Sequence, residues 1–393
     1  MPTRKSAFAL ICCVTSVLMI MINVVIVNIE PSVNMHVTYD KRNFSQHIVK
    51  HNTNFWRKKD LRKIVVWTTF FDSWDWVKGI QIETENCPMQ CEVTKEKSEV
   101  DSADAVLFHV SDMWKYRGFA GTIYNRVKPM PHTRTHEQVW VLLSWEPITK
   151  FYGKMEHTFN WTITYRRDST IRSVYTAWVR NKTSDLKSSS TSDMTENIFQ
   201  TKTKFIATAI SNCFDRAKRY EIIRELEKYV KIDKFGRCYG ERFPNLDFLG
   251  DYKFYIAIEN TLCRDYITEK YWNTLNRKQI PVIATTKYNT ELLPPGSFIN
   301  VFDFDSIESL ADELIKIENN ETLYNSFFEW RKEYTRNSEG IMCKLCKELH
   351  ANKSAQSYVD MEEWVRDDIC SKSTTWSLIN EAFQRLLFNL GMT

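Results

Sequence analysis

Glycine and proline are scarce, ten of each in 393 residues. No G-x-G-x-x-G follows a strand and no G-x-x-x-x-G-K-[ST] occurs anywhere, so the glycine-rich phosphate loops of dinucleotide-binding and P-loop proteins are absent. Charge of one sign is also missing in bulk. Lys and Arg exceed Asp and Glu by only four, and the basic residues are scattered, which sets aside the concentrated footprint of a nucleic-acid binder. No internal repeat is visible, so solenoids and propellers are not indicated. There is no second C-x-x-C or H-x-x-x-H near Cys343-x-x-Cys346, which leaves a zinc site there short of ligands.

What is present begins at the N-terminus. Ala7 to Ile29 carries no charge (AFALICCVTSVLMIMINVVIVNI), long enough to span a bilayer. It lacks the short apolar core and small-residue cleavage site of a removed signal peptide. Arg4 and Lys5 precede it and Glu30 follows, which points to a single-pass type II topology with the body lumenal. The modest length of the run, broken by Asn23, suits a thinner secretory-pathway membrane. Five N-x-Ser/Thr sequons follow the run, at Asn43, Asn160, Asn181, Asn320 and Asn352. So do eight cysteines, Cys87, Cys91, Cys213, Cys238, Cys263, Cys343, Cys346 and Cys370. An even number in an oxidising lumen reads as disulfides. Cys87 and Cys91 with Cys343 and Cys346 make either two local loops or two cross-links, and Cys213 has Cys238 or Cys263 as partner; spacing does not choose.

The rest of the chain holds two α/β cores. We divide it into a cytosolic tail (1–6), a membrane anchor (7–29), a stem (30–60), a first domain (61–183), a Ser/Thr-rich linker (184–203), a second domain (204–350) and a C-terminal extension (351–393), whose amphipathic helix around 378–390 is expected to pack back on the body. Apolar, β-branched strands are expected at 63–70, 103–110 and 138–145 in the first domain. In the second, strands at 204–210, 231–236, 253–260 and 280–285 alternate with helices, one over 266–277 and another capped by Ser306. Thirteen Trp and seventeen Tyr fill cores and also suit the faces of sugars.

Open α/β sheets bind ligands beyond the carboxyl ends of their strands, where helix N-termini suit a pyrophosphate. In the second domain that place falls to Glu259-Asn260 through Lys270. Glu269 has the chemistry to accept from a ribose diol, and Lys270 to neutralise a phosphate. Arg216, opening the helix after Ser211-Asn212, has reach to the same phosphates. Taken alone, Glu269-Lys270 is more simply a solvent-facing pair.

The longer context changes that reading. FYIAIENTLCRDYITEKYWNTLNRKQIPVIA, followed by PPGSFINVFDFDS, closely resembles the signature region of the α1,3-fucosyltransferases (glycosyltransferase family 10). Lys202-Thr-Lys, Ser211-Asn212-Cys213, Arg216-x-x-x-Tyr220 and FNWTITYRRDS (159–169) are similar to further motifs of that family, and the resemblance covers roughly residues 61–350. It implies an α/β fold of two facing Rossmann-like domains (GT-B), GDP-fucose as donor, and the 3-hydroxyl of a GlcNAc-containing glycan as acceptor, with inversion at the fucose. It also implies a Golgi membrane enzyme bound to the bilayer through 7–29.

Residue by residue, Ser144-Trp-Glu146-Pro is similar to the family's Phe-Glu-Ser-Pro, with the departure that Pro147 follows Glu146 directly; Glu146 is the expected base. Asn212, Arg216, Tyr255, Asn260, Tyr266, Glu269 and Lys270 match donor-binding positions, although Tyr255 and Tyr266 read equally as core aromatics. Tyr175 stands in Val-Tyr-Thr where the family shows Pro-Tyr-Gly, so its place near the fucose is open. Asp303-Phe-Asp305 spells a D-x-D, but it falls in a stretch resembling the family's own V-x-D-F-x-S, so no dedicated metal is expected; stimulation by divalent ions would not conflict with this. The Ser-Asn-Cys form resembles invertebrate and plant enzymes of the N-glycan core more than Lewis-type enzymes. The alternatives are a glycan-binding protein that kept the fold and lost catalysis, and a transferase for another nucleotide sugar.

Overall fold

Strands of a parallel sheet covered on both faces read as unbroken apolar runs, because neither face meets water. LRKIVV, AVLFH and VWVLLS read that way, and the computed structural model of the chain makes them neighbours. It describes residues 48–50, 60–119, 122–127, 130–148, 155–173, 178–181, 197–213, 215–240, 247–336, 339–351, 356–366 and 370, all within a compact unit, Thr38–Thr393.

The first sheet holds β1 (Leu61–Val66), β2 (Gln90–Thr94), β3 (Ala105–His109), β4 (Val139–Ser144), β5 (Trp161–Thr164) and β6 (Ile171–Arg172) in the order β2-β1-β3-β4-β5-β6. Every pairing is parallel. Successive side chains alternate between faces. Ile64, Val66, Leu107, Val141 and Leu143 pack on one side with Val77 and Ile80 of helix α1 (Trp76–Glu85), while Val65, Val106, Phe108 and Leu142 pack on the other. Burying each such side chain contributes about 1.5–3 kcal/mol.

The second sheet holds β7 (Lys204–Ala209), β8 (Asp233–Phe235), β9 (Tyr252–Ile256), β10 (Ile280–Ile283) and β11 (Ile299–Asn300) in the order β8-β7-β9-β10-β11. It is also parallel throughout. Its helices include α2 (Arg219–Leu226), α3 (Glu269–Asn276) and α4 (Ile307–Glu318), the last capped by Ser306 as expected, with its Oγ accepting from the Ser309 N–H. Both strand orders reverse direction beside the first strand of the sheet, and such a switch point opens a crevice at the carboxyl ends.

Several expected boundaries shift. Ile48–Lys50 lies inside the expected stem yet pairs antiparallel with Gln356–Tyr358, so the folded body starts before residue 60. Helix α5 (Ile341–His350), assigned from chain order to the second domain, packs on the first sheet through Met342, Leu345 and Leu349. Tyr358, Met361, Trp364 and Val365 cover the opposite face of that sheet. Chain order misleads here because the amphipathic face of α5 finds its apolar partners across the molecule.

The run 7–29, Asn43, Asn352, Tyr175, most of the linker and the helix expected at 378–390 lie outside the described residues. Among the described residues no helix is long and apolar enough to cross a membrane. Of the three described sequons, Asn160 donates its Nδ2 to the Gln356 carbonyl and accepts from the Trp140 N–H. Asn181 is half-buried, with its N–H on the Glu333 carbonyl. Exposed Asn320 caps the short helix Glu321–Ser326.

All eight expected cysteines are paired: Cys87–Cys343, Cys91–Cys346, Cys213–Cys238 and Cys263–Cys370. The first two are cross-links rather than local loops, and they clamp α5 to the α1–β2 connection. His350 completes a triangle with Cys91 and Cys346, but those two sulfurs are bonded to each other. Replacing Cys343 and Cys346 together with Ser is expected to lower stability by about 2–5 kcal/mol per bridge. The midpoint of urea denaturation measures this, and an unchanged midpoint would show the clamp to be dispensable.

Candidate active site

The crevice of the second sheet lies between the carboxyl ends of β7 and β9. Thr208, Ala209, Ile210, Arg219, Tyr255, Ile258 and Lys270 line it. Gly236, just past β8, has φ 99°, and a Cβ there would stand 2.5 Å from the Ile210 carbonyl oxygen. Only glycine lets these two loops close so tightly, and the Cys213–Cys238 bridge then locks them.

Lys270 does not lean mainly on its neighbour Glu269. Its Nζ donates to Glu259 Oε2 at 2.9 Å and Thr268 Oγ1 at 3.0 Å, with Glu269 Oε1 farther off at 3.4 Å. Glu259, three residues past the end of β9, is buried. Its Oε1 accepts from the Thr268 N–H at 2.8 Å and the Thr268 hydroxyl at 2.7 Å. Thr268 in turn is the N-cap of α3, so the helix starts at Glu269 rather than 266. Burial opposes the Lys270 charge, and the Glu259 and Glu269 carboxylates outweigh it, holding the ammonium above its ordinary pKa. Glu269 itself is half exposed at the first turn of α3.

A second cation faces the same crevice. Arg219, buried, donates from Nη2 to the Asn212 carbonyl, and its charge bears on Lys270. Helix α2 starts at Arg219, not at Arg216; Asp215 caps it by accepting from the Arg219 and Tyr220 N–H groups, both at 2.9 Å. Arg216 sits in the preceding turn, where its N–H and that of Ala217 donate to the Asn260 carbonyl. Both cations line the crevice, Lys270 balanced by Glu259 and Arg219 by Asp215, whose Oδ1 lies 3.8 Å from Arg219 Nε.

The two expected tyrosines are buried and have duties of their own. Tyr255 lines the crevice, its hydroxyl accepting from the Ala209 N–H at 3.2 Å. Tyr266 packs against Tyr165 of the first half, ring centroids 4.9 Å apart, and its hydroxyl lies 3.5 Å from Asn260 Oδ1. Beside it Arg167 Nε donates to Asp265 at 2.7 Å. Asp303, of the D-x-D, accepts from Asn300 Nδ2 at 3.2 Å.

Glu146 stands just beyond β4, with its carbonyl accepting from the Ser144 hydroxyl at 2.7 Å. A cleft beside it is lined by Thr164, Tyr165, Arg166 and Trp364. Although the residue is exposed, the cleft walls desolvate its carboxyl and raise its pKa, with Lys270 pulling it down and Glu269 and Glu259 pushing it up. Glu146 therefore lies within electrostatic reach of the second sheet's cation.

The first sheet has an anchor that the sequence did not reveal. Asp112, three residues past β3 and buried, accepts from Thr69 Oγ1 at 2.6 Å, from the N–H groups of Phe71 and Asp72 at 2.8 Å each, and lies 2.5 Å from His109 Nδ1. Burial pushes the Asp112 pKa up, but these hydrogen bonds outweigh it and hold the carboxyl far below its usual range. Phe70 and Ser73 exchange backbone hydrogen bonds around a tight turn in which Phe71 and Asp72 have φ of 47° and 62°. A turn with positive φ at both central positions favours Asn-Gly; Phe-Asp there is strained by about 1–3 kcal/mol per residue, and Asp112 offsets that strain.

Of the expected residues, Tyr255 and Lys270 line this crevice; Asn212 touches it through the Arg219 guanidinium, Arg216 and Asn260 are joined to each other beside it, Tyr266 packs toward Tyr165, and Glu146 stands at the cleft of the first sheet. Sequence reasoning passed over Arg219 and Asp112, and gave Glu259, the first residue of the stretch it singled out, no role. Arg219 lies one helical turn past Arg216 in RAKR, the only local hint.

Comparison with known proteins agrees with this architecture. Residues 59–176 match the family model for the N-terminal region of fucosyltransferases, and 199–364 that for the C-terminal region of glycosyltransferase family 10 (fucosyltransferase). The chain is 32% identical to alpha-(1,3)-fucosyltransferase fut-6 of Caenorhabditis elegans, over 72% of this chain and 74% of that protein. It is 29% identical to glycoprotein 3-alpha-L-fucosyltransferase A of Drosophila melanogaster, over 84% of this chain and 65% of that one. A crystal structure of an alpha1,3-fucosyltransferase with GDP shares the fold at 15% identity and a TM-score of 0.50, covering 80% of this chain and 93% of the other. The chain belongs to glycosyltransferase family 10.

The Glu259–Lys270 pair yields a test. The folded pKa of Lys270 lies above the ordinary 10.5, so the pair stabilises fully below that value and its contribution is lost as pH rises through the folded pKa. Glu259→Gln is expected to lower stability by about 2–4 kcal/mol at pH 7.5, measured by urea denaturation, with the difference from wild type shrinking in strong alkali. A difference that persisted there would assign the effect to the Thr268 cap alone.

Proposed function

We propose that this protein is an inverting α1,3-fucosyltransferase that moves L-fucose from GDP-fucose to the 3-hydroxyl of GlcNAc on a glycan. The observation that carries the reading is the crevice at the carboxyl ends of β7 and β9, lined by Lys270 and Arg219, in a chain that matches the fucosyltransferase family over both halves. Glu146 takes the proton of the acceptor hydroxyl. The acceptor oxygen forms its bond to fucose C1 as the bond from C1 to the diphosphate oxygen breaks, in line, so a β-linked donor gives an α product. The bonding pair leaves with GDP, and Lys270 and Arg219 stabilise the charge that develops there. Glu269 on the rim suits the ribose. We read the two sheets as the facing Rossmann-like domains of a GT-B enzyme, with the carboxyl ends of both turned to one cleft.

Residues 7–29 anchor the protein in the Golgi membrane with the body lumenal, a reading supported by the charge-free run and by four disulfides that need an oxidising compartment. No bound metal is required in this scheme, because two side-chain cations already face the diphosphate place. Transfer in excess EDTA is expected to stay within about twofold of the untreated rate; loss restored by Mn²⁺ would show that an ion is part of the site.

Full-length protein in detergent is expected to transfer fucose to a GlcNAc-containing oligosaccharide, read by mass spectrometry with linkage analysis. Glu146→Gln should lower kcat by about 10²–10⁴-fold with GDP affinity unchanged; lost GDP affinity would remove Glu146 as the base. Because desolvation raises the Glu146 pKa, the acid limb of kcat/KM should fall at a pH above the ordinary carboxylate range. The same sign means that ionised Glu146 destabilises the fold at neutral pH, so Glu146→Gln should be slightly more stable than wild type. GDP-fucose binding without turnover on any acceptor would favour a glycan-binding protein instead.

A further inference from the structure

We propose that Phe71 is a stacking platform for the acceptor sugar, a reading that rests on the glycosyl-transfer function above. Phe71 is 54% exposed, and among the described large apolar residues only Ile82, at 59%, exceeds it. An exposed phenyl ring is common on protein surfaces, but the backbone beneath this one is not. Phe71 takes φ 47° in a turn where Asn-Gly is the low-strain choice. A bulky aromatic kept in such a conformation, with a buried carboxylate spent on holding it, points to a ring whose position matters.

The position is specific. The Phe71 ring meets Phe70 edge-on at 4.7 Å and His109 at 4.9 Å. Phe70 in turn lies 4.9 Å from the ring of Trp145, the residue before Glu146. Phe70, Trp76 and Trp145 are half-buried and backed by the core of the first sheet, whereas Phe71, at the outer end of the row, is exposed. His109, fixed by Asp112, supports it from behind and also bears electrostatically on Glu146. The whole row sits at the carboxyl ends of β1, β3 and β4, the ligand side of a parallel sheet.

The chemistry fits a pyranose. One face of a sugar ring presents C–H groups that carry slight positive charge, and the face of an aromatic ring is negative. Stacking of this kind needs no hydrogen-bond inventory and orients the sugar plane, which is what a base waiting for one particular hydroxyl requires. The acceptor residue that stacks on Phe71 is the GlcNAc itself or the sugar next to it.

The test uses full-length protein and the GlcNAc-containing oligosaccharide that wild type fucosylates best in a panel. Phe71→Ala should raise the acceptor KM roughly tenfold, while the donor KM, GDP affinity and melting temperature stay at wild-type values. Phe71→Tyr and Phe71→Trp should restore the acceptor KM, and Phe71→Leu should not. An unchanged acceptor KM in Phe71→Ala overturns the proposal. So does full function in Phe71→Leu, which would make the side chain apolar filler, or a parallel rise in donor KM, which would make it a support of the cleft. Both readings fail together if wild type fucosylates no acceptor, whereas transfer by wild type with an indifferent Phe71→Ala leaves the function standing and removes only the platform.

Discussion

A carboxylate taken out of water must find donors, and each sheet of this protein is organised around one that does. Asp112 follows the end of β3 by three residues, and Glu259 follows the end of β9 by three. These are corresponding strands, each beside the switch point of its sheet. Asp112 collects a hydroxyl, two backbone N–H groups and an imidazole; Glu259 collects a backbone N–H, a hydroxyl and an ammonium. An unsatisfied carboxylate at such depth costs several kcal/mol, so the loops around each are fixed by the need to supply donors. Lys270 stands in the first turn after one of those loops, and Phe71 in the other.

The division of labour between the halves follows from what each carboxylate holds. Glu259 fixes one cation, Lys270, and a second, Arg219 on α2, lines the same crevice, which is the chemistry the proposed diphosphate needs. Asp112 fixes no permanent cation. It shapes a turn, and the side chains presented there are aromatic. A cationic crevice on one side and an aromatic row with a desolvated carboxyl on the other is the polarity that transfer between a nucleotide sugar and a neutral glycan demands.

Much of this was legible in the chain. The strands stood out as β-branched runs because both faces of each sheet are buried, and the alternation of strands and helices disclosed the α/β class. Lys270 was found from its place at a helix mouth. Its true partner was not, because Glu259 lies eleven residues earlier and meets it only once the loop 260–268 folds back; adjacency in sequence pointed to Glu269 instead. Arg219 was hidden behind Arg216 for a similar reason: the turn capped by Asp215 delays the helix by three residues. Nothing periodic marks Phe71 or Asp112, since a strained turn and a carboxylate beyond a strand leave no repeating pattern. Disulfide pairing was undecidable from spacing, because it depends on where α5 docks.

The docking of α5 has a consequence for how the molecule is made. The first sheet is covered on one face by 341–350 and on the other by 356–366, segments made well after the strands they cover. Until they arrive, a parallel sheet completed at Arg172 keeps apolar surface that α1 alone does not cover, and the thiols of Cys87 and Cys91 lack their partners. Contacts of such sequence separation form slowly, and exposed apolar sheets aggregate. The Cys87–Cys343 and Cys91–Cys346 bridges therefore close only after α5 has been made.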